Sequence, residues 1–129
     1  MGSENLIQGL CCVRDSINSY TVDRVAMAGA IAAIEDEEYF QATRKKVMDT
    51  RAWATNAIKE LGFTVLPSQS NFIFVSHPKR GGKELLDGLR ARGLLVRWWA
   101  NPLIENWLRI TIGTDQEMEQ LVKALRELV

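Results

Sequence analysis

The stretch WLRITIGT, residues 107–114, decides the expected fold because it reads as a short strand that runs straight into a helix start. Side chains alternate between the two faces of a strand. One face carries Trp107, Arg109 and Thr111. The other face carries the aliphatic residues Leu108, Ile110 and Ile112. If helices cover the aliphatic face, Arg109 projects from the opposite face as a rigidly mounted cation, suited to a bidentate grip on a carboxylate or phosphate.

The composition bounds the class of protein. The chain has 129 residues, of which 47% are hydrophobic, with 16 basic and 16 acidic residues and a formal net charge of zero. This length suits one domain or a piece of something larger. A neutral chain is not drawn to nucleic acid or to an anionic membrane by its overall field. No apolar run approaches the roughly 20 residues of a membrane helix, so we expect a soluble protein.

The N-terminal residues lack the basic and apolar regions of a signal peptide, which predicts a cytoplasmic protein. Cys11 and Cys12 are adjacent, a spacing that is poor for a mutual disulfide and supplies too few ligands for a zinc site. We interpret both as ordinary half-buried thiols.

The first half of the chain is predicted to be helical. Residues 4–13 read as a short helix, the polar residues 15–20 as an irregular connection, and residues 21–34 as a helix rich in alanine and glycine. The acidic residues 35–38 open a long helix that continues to Leu61 and stops at Gly62.

Strands and helices alternate in the second half. Strands are expected over residues 63–66, 71–75, 94–99 and 107–112, with the second of them central. A helix carrying three leucines separates the second and third strands and ends at Gly93, and the last helix begins with a capping-box pattern at Thr114. The predicted fold class is α/β of the α+β type: a small, mainly antiparallel sheet with helices on one face, preceded by a helical lead-in that includes the long helix.

Arg97 is the natural companion of Arg109 because it too interrupts an apolar strand. Two arginines on neighbouring strands could bind the two ends of a doubly anionic small molecule. The alternative is that each pairs with an acid such as Glu105 or extends to solvent at the sheet edge.

The other residues that could bind a ligand or take part in catalysis give weaker indications of function. His77 is the single histidine and has no serine or cysteine nucleophile near it in the sequence. Residues 79–83 (KRGGK) could cradle a phosphate at a helix N-terminus, but they lack P-loop spacing. The tryptophans at 98, 99 and 107 could stack on a flat ligand or belong to the core. No lysine has the apolar setting that Schiff-base chemistry requires.

Several short motifs follow one another in a definite order. They are residues 15–20 (DSINSY) with 23–24 (DR), 28–33 (AGAIAA), 67–72 (PSQSNF), 93–97 (GLLVR) and 108–114 (LRITIGT). The ordered set resembles the C-terminal part of histidinol-phosphate aminotransferases over nearly the whole chain. The last motif occurs more widely among class I and II aminotransferases.

The resemblance implies a fold and two site residues. Members of this family use pyridoxal 5′-phosphate and consist of a large domain that holds the cofactor and a small C-terminal domain that closes on the substrate. The resemblance maps Arg109 onto the arginine that binds the substrate α-carboxylate, and Arg97 onto an arginine that helps to hold the substrate phosphate. Asn71 matches the family motif, but we transfer no role to it.

The resemblance also implies that part of the active site is missing. The family's Schiff-base lysine lies in a serine-lysine motif upstream of the segment that resembles residues 4–20, as do the groups that hold the cofactor. We therefore expect a fragment in which residues 1–20 are a lead-in from the large-domain side and residues 21–129 form the small domain. Thr21 departs from the family's usual proline at this position.

The sequence thus predicts the substrate-binding part of a pyridoxal-phosphate-dependent transaminase of histidine biosynthesis, acting on histidinol phosphate and 2-oxoglutarate. The isolated chain is expected to be inactive, with no catalytic residue and no covalently bound cofactor. The implied partners are an amino acid or amino alcohol phosphate, a 2-oxo acid, the missing large domain and, in the parent, a second subunit. The alternatives are another fold-type-I aminotransferase or related decarboxylase, and a stand-alone non-catalytic α/β binding module.

Overall fold

The computed structural model describes residues 2–17 and 22–129. It divides into two compact units, one ending at Phe40 and the other comprising Gln41–Val129. The boundary expected near residue 20 remains a prediction.

The first unit contains helices α1 (Glu4–Ile17) and α2 (Arg24–Glu35) and the start of α3 (Glu37–Glu60). Helix α1 is longer than predicted and includes residues expected in an irregular connection. The hydroxyl of Ser16 donates to the carbonyl oxygen of Val13 at 3.2 Å, so this polar side chain is satisfied within the last helical turn. The rest of that expected connection, residues 18–20, lies outside the described residues, as does Thr21.

Two aspartates divide the helices that follow. The carboxylate of Asp23 accepts from the backbone N–H of Ala26 at 2.8 Å, so α2 begins later than predicted. The carboxylate of Asp36 accepts from the N–H of Tyr39 at 3.1 Å, which separates α2 from α3 within the acidic cluster. Helix α3 ends as predicted before Gly62, which has φ of 89°. Cys11 is half-buried, whereas Cys12 is exposed, contrary to the half-buried setting expected for both.

The second unit is built on a three-stranded antiparallel sheet in the order β1 (Thr64–Val65), β2 (Phe72–Ser76), β3 (Trp107–Thr111). The central place of β2 and the antiparallel arrangement are confirmed. In the register, Phe74 lies opposite Arg109 and Val75 lies opposite Leu108.

The prediction of a strand over residues 94–99 is wrong except at Arg97. Within this segment, Arg97 alone forms a bridge, to Arg109. The segment begins as the exit from helix α4 (Gly82–Ala91), where the N–H of Leu94 donates back to the carbonyl oxygen of Leu89 at 3.0 Å. The chain then enters a turn in which the N–H of Ile104 donates to the carbonyl oxygen of Asn101 at 2.9 Å. Little of it is therefore free to pair with β3.

The core lies on one face of the sheet, beneath α3, α4 and α5 (Asp115–Leu128), as the fold class predicted. Its fully buried large side chains come from all three helices and from β2 and β3: Ile58, Ile73, Val75, Leu85, Leu89, Leu108, Ile110 and Leu125. The capping box at Thr114 is confirmed. Among the described helices, none is both long and apolar enough to cross a membrane.

Candidate arginine site

Arg97 and Arg109 face each other across an antiparallel bridge. The N–H of Arg97 donates to the carbonyl oxygen of Arg109 at 3.0 Å, and the N–H of Arg109 donates to the carbonyl oxygen of Arg97 at 2.9 Å. Residues paired in this way project their side chains from the same face of a sheet. Because Leu108 and Ile110 are buried on the core face, both arginines lie on the opposite face. The structure therefore brings the two predicted site residues together.

This pair of cations has no carboxylate partner in the described part of the chain. The ion pairs formed by residues 2–17 and 22–129 include neither Arg97 nor Arg109. Glu105, considered as a partner from the sequence, accepts a hydrogen bond through its backbone carbonyl oxygen from Nε1 of Trp98, at 2.6 Å. Two like charges directly opposite each other are unfavourable for a sheet. An anion bound between them would reverse that effect.

Aromatic rings contact both guanidinium groups. Cζ of Arg97 lies 5.2 Å from the centroid of the Trp99 ring, and Cζ of Arg109 lies 5.4 Å from the same centroid. Arg109 also lies over Phe72, with its Cζ 5.3 Å from that centroid. These distances are within the range of cation–π attraction. The rings therefore hold the arginine side chains in place of acidic partners.

One donor of Arg109 is left without an acceptor. Its Nε is buried and forms no hydrogen bond in the described structure. A buried donor without a partner costs about 1–3 kcal/mol, and buried polar atoms are normally paired. The missing acceptor is the strongest sign that an oxygen of a ligand belongs here.

Arg109 borders a cavity of about 400 Å³. Its lining is mainly apolar and aromatic: Leu66, Pro67, Ser68, Phe72, Phe74, Trp99, Ile104 and Arg109. Small-molecule sites commonly combine an apolar lining with a few polar groups that fix orientation. A cavity with one cation at its wall suits a small anion that also carries an apolar or ring-bearing part.

The loop between β1 and β2 borders this cavity and is held in place by side-chain hydrogen bonds. Arg51 on α3 donates through Nη1 to the carbonyl oxygen of Ser70 at 2.6 Å, and Ser68 donates through its hydroxyl to the carbonyl oxygen of Phe72 at 2.5 Å. The backbone carbonyl of Asn71 accepts from the N–H of Ile112 at 2.8 Å. No sequence pattern indicated this role for Arg51, because its partner lies 19 residues away.

Of the other candidates from the sequence, Trp99 contacts both arginines, whereas His77 and the basic loop form their contacts elsewhere. His77 packs its ring 4.8 Å from that of Phe63. In the basic loop, Arg80 pairs with Glu84 at 2.8 Å and Lys83 with Asp87 at 2.5 Å, so both cations already have partners. No cluster of metal-binding side chains occurs among the residues described.

Comparison with known proteins gives a family match for the chain. Residues 2–125 match the family described as aminotransferase class I and II. The histidinol-phosphate aminotransferase of Aromatoleum aromaticum is 50% identical over 129 residues, which cover all of this chain and 36% of that protein. That of Clostridium acetobutylicum is 45% identical over 129 residues, again all of this chain and 37% of that protein. The chain thus spans little more than a third of these relatives.

Solved structures agree in fold. The crystal structure of histidinol-phosphate aminotransferase from Sinorhizobium meliloti in complex with pyridoxal-5′-phosphate has a TM-score of 0.75 and 28% identity, covering 93% of this chain and 34% of that one. A decarboxylase from Sulfurospirillum multivorans has a TM-score of 0.72 and 19% identity, covering all of this chain and 38% of that one. The second likeness concerns the fold alone.

Proposed function

The chain belongs to the class I and II aminotransferase family, and from that premise we propose that it is the substrate-binding, C-terminal part of a histidinol-phosphate aminotransferase. The parent would transfer an amino group between histidinol phosphate and 2-oxoglutarate. Whole-chain identity of 50% to a histidinol-phosphate aminotransferase supports this choice of substrates. The parent is proposed to act in the cytoplasm, as a homodimer that includes the large domain.

The observation that carries the proposal is the arginine pair without acidic partners. Arg109 would bind the α-carboxylate of the amino acid or 2-oxo acid, because its buried Nε lacks an acceptor. Arg97, directly opposite, would bind the phosphate of the amino alcohol phosphate. A guanidinium group donates hydrogen bonds and accepts none, so neither residue is proposed to take part in proton transfer. Their part would be to fix the carboxylate or phosphate of each substrate so that its reacting amine or carbonyl group is correctly oriented.

We propose that no residue of this chain attaches pyridoxal 5′-phosphate covalently. No lysine lines the cavity beside Arg109. Lys45 and Lys83 form ion pairs with Asp49 and Asp87 on helices α3 and α4. We therefore assign the attachment lysine and the cofactor-binding groups to the remainder of the parent protein. The isolated chain is proposed to have no transaminase activity.

The test uses the full-length parent with histidinol phosphate and, separately, an amino acid without phosphate. Arg97→Ala is expected to raise KM for histidinol phosphate at least tenfold more than KM for the other substrate. Arg109→Ala should impair both reactions. Arg126→Ala, which changes an exposed arginine of α5, is the matched control and should impair neither.

Two results would contradict the proposal. Equal effects of Arg97→Ala on both substrates would favour another fold-type-I aminotransferase or a related decarboxylase, in which the phosphate ligand differs. A visible absorbance band on adding pyridoxal 5′-phosphate to the isolated chain, lost when one lysine is replaced, would show that this chain does hold the cofactor covalently.

A further inference from the structure

We propose that Trp99 is a positioning residue that fixes the spacing of Arg97 and Arg109 and thereby selects doubly anionic ligands over singly anionic ones. The inference rests on the proposed role of the two arginines in binding substrate anions. It concerns a residue that contacts both cations and that the sequence did not distinguish from its neighbour Trp98.

The need for such a residue follows from the charges. Arg97 and Arg109 are directly opposite each other, and in the described chain no carboxylate separates them. Two long, flexible cations in this arrangement would turn away from each other into solvent. The bridge fixes the face from which both side chains project, and an attraction to a shared neutral group is needed to keep the two guanidinium groups close together.

The indole of Trp99 provides that attraction. Both Cζ atoms lie near its ring centroid, at 5.2 Å for Arg97 and 5.4 Å for Arg109. The ring is itself held edge-on to Phe74, with centroids 6.3 Å apart, and Phe74 stacks on Trp107 at 5.2 Å. The faces of an aromatic ring carry negative potential, so one ring can attract two cations without neutralising them. The cations remain available to a ligand.

The two arginines depend on Trp99 to different degrees. Arg109 has a second ring contact, with Phe72 at 5.3 Å, whereas among the described residues Trp99 is the ring that contacts Arg97. Loss of the indole should therefore release Arg97 more than Arg109. A ligand with two anionic groups would then have to order Arg97 on binding, which lowers its affinity. A ligand with one anionic group could still use Arg109.

The neighbouring Trp98 supplies a matched control. Its Nε1 donates to the carbonyl oxygen of Glu105 at 2.6 Å, and its Cδ1 would lie 3.0 Å from a Cβ added at Gly82. Trp98 therefore packs against α4 and the turn that precedes β3. Replacing it should affect stability without changing the relative affinity for the two kinds of anion.

The experiment measures binding of 3-phosphonopropionate and of propionate to the 129-residue protein by calorimetry at constant ionic strength. Trp99→Leu is expected to weaken binding of 3-phosphonopropionate about tenfold and that of propionate less than about twofold. Trp99→Phe, which keeps a ring, should restore most of the difference. Trp98→Phe should lower the melting temperature and leave the affinity ratio unchanged.

An independent readout is the NMR signal of each arginine Nε–H. The indole ring current should displace both signals in the wild type, and Trp99→Leu should remove that displacement for Arg97. A ratio of affinities that does not change in Trp99→Leu, while the wild type binds both anions, would overturn the role of Trp99 alone. Failure of the wild type to bind either anion would overturn the anion site itself and, with it, the selectivity.

Discussion

Replacing Arg109 by methionine is expected to raise the stability of the protein while abolishing the proposed anion site. The reason is that Arg109 combines a buried Nε without an acceptor and a second cation directly opposite it. Methionine has a similar length, carries no charge, and packs well against aromatic rings such as those of Phe72 and Trp99. The change therefore removes two unfavourable features without opening a large cavity.

The expected gain can be worked out from the contacts. Removing the unpaired donor is worth about 2 kcal/mol, and removing the repulsion across the bridge about 0.5 kcal/mol. Loss of the two ring contacts at 5.3 Å and 5.4 Å opposes this by about 1.5 kcal/mol. The net increase in the free energy of unfolding is about 1 kcal/mol. For a protein of 129 residues, that raises the melting temperature by roughly 3–5 °C.

The assay is thermal and urea unfolding followed by circular dichroism, with and without 3-phosphonopropionate. Arg97→Met is the matched control: it relieves the same repulsion but gives up a ring contact at 5.2 Å, so its stability should stay within about 0.5 kcal/mol of the wild type. A ligand at ten times its Kd should stabilise the wild type by about 1.4 kcal/mol. It should not stabilise Arg109→Met.

A destabilised Arg109→Met variant would refute this reasoning. So would a gain equal to that of Arg97→Met, because the difference between the two variants is attributed to the unpaired Nε. In either case Arg109 would have to be regarded as a structural residue of the sheet.

Three further predictions concern the supports of this strand. Thr114→Ala removes the hydroxyl that accepts from the N–H of Glu117 at 3.3 Å, and should lower the free energy of unfolding by about 1 kcal/mol in urea titrations. The backbone N–H of Thr114, and then its hydroxyl, hold the pKa of Glu117 below its ordinary value. That contribution is fully present above the unfolded pKa of about 4.3 and is lost as pH falls through the folded pKa. Acid melts of Glu117→Gln should therefore show a smaller decrease in melting temperature below about pH 4.3 than the wild type. Gly82→Ala places a Cβ 2.5 Å from the carbonyl oxygen of Glu105, and should lower the free energy of unfolding by about 1–3 kcal/mol in the same titrations.

Local signals in the sequence predicted the elements whose stabilising contacts are local. Alternation along residues 107–112 correctly separated the core face from the arginine face. The capping box at Thr114 and the glycines at 62 and 93 correctly marked helix ends, with φ of 89° and 77° at the glycines. In each case the deciding interactions span only a few residues, so the sequence pattern alone is enough to predict them.

Interactions between distant residues explain what the sequence could not predict. Residues 94–99 are as apolar as a strand, but whether they pair depends on the route of the chain through the turn after Asn101. Trp98 and Trp99 are indistinguishable in sequence, and they differ because one reaches Glu105 and the other reaches both arginines. Whether Arg109 pairs with an acidic residue or keeps a donor without an acceptor likewise depends on the tertiary structure.

The two faces of β3 divide stability and binding between them. Leu108 and Ile110, on either side of Arg109 in sequence, are 0% and 1% exposed. Burial of each such side chain contributes about 1.5–3 kcal/mol. Together they exceed the penalty of about 2 kcal/mol for the unpaired Nε of Arg109 between them. The strand therefore stays folded although the Nε of Arg109 has no acceptor. A ligand that supplies the acceptor recovers, on binding, the free energy that the unpaired Nε costs. It follows that truncations on the core face should change stability without changing anion selectivity, whereas changes at Arg97, Trp99 and Arg109 should change anion binding.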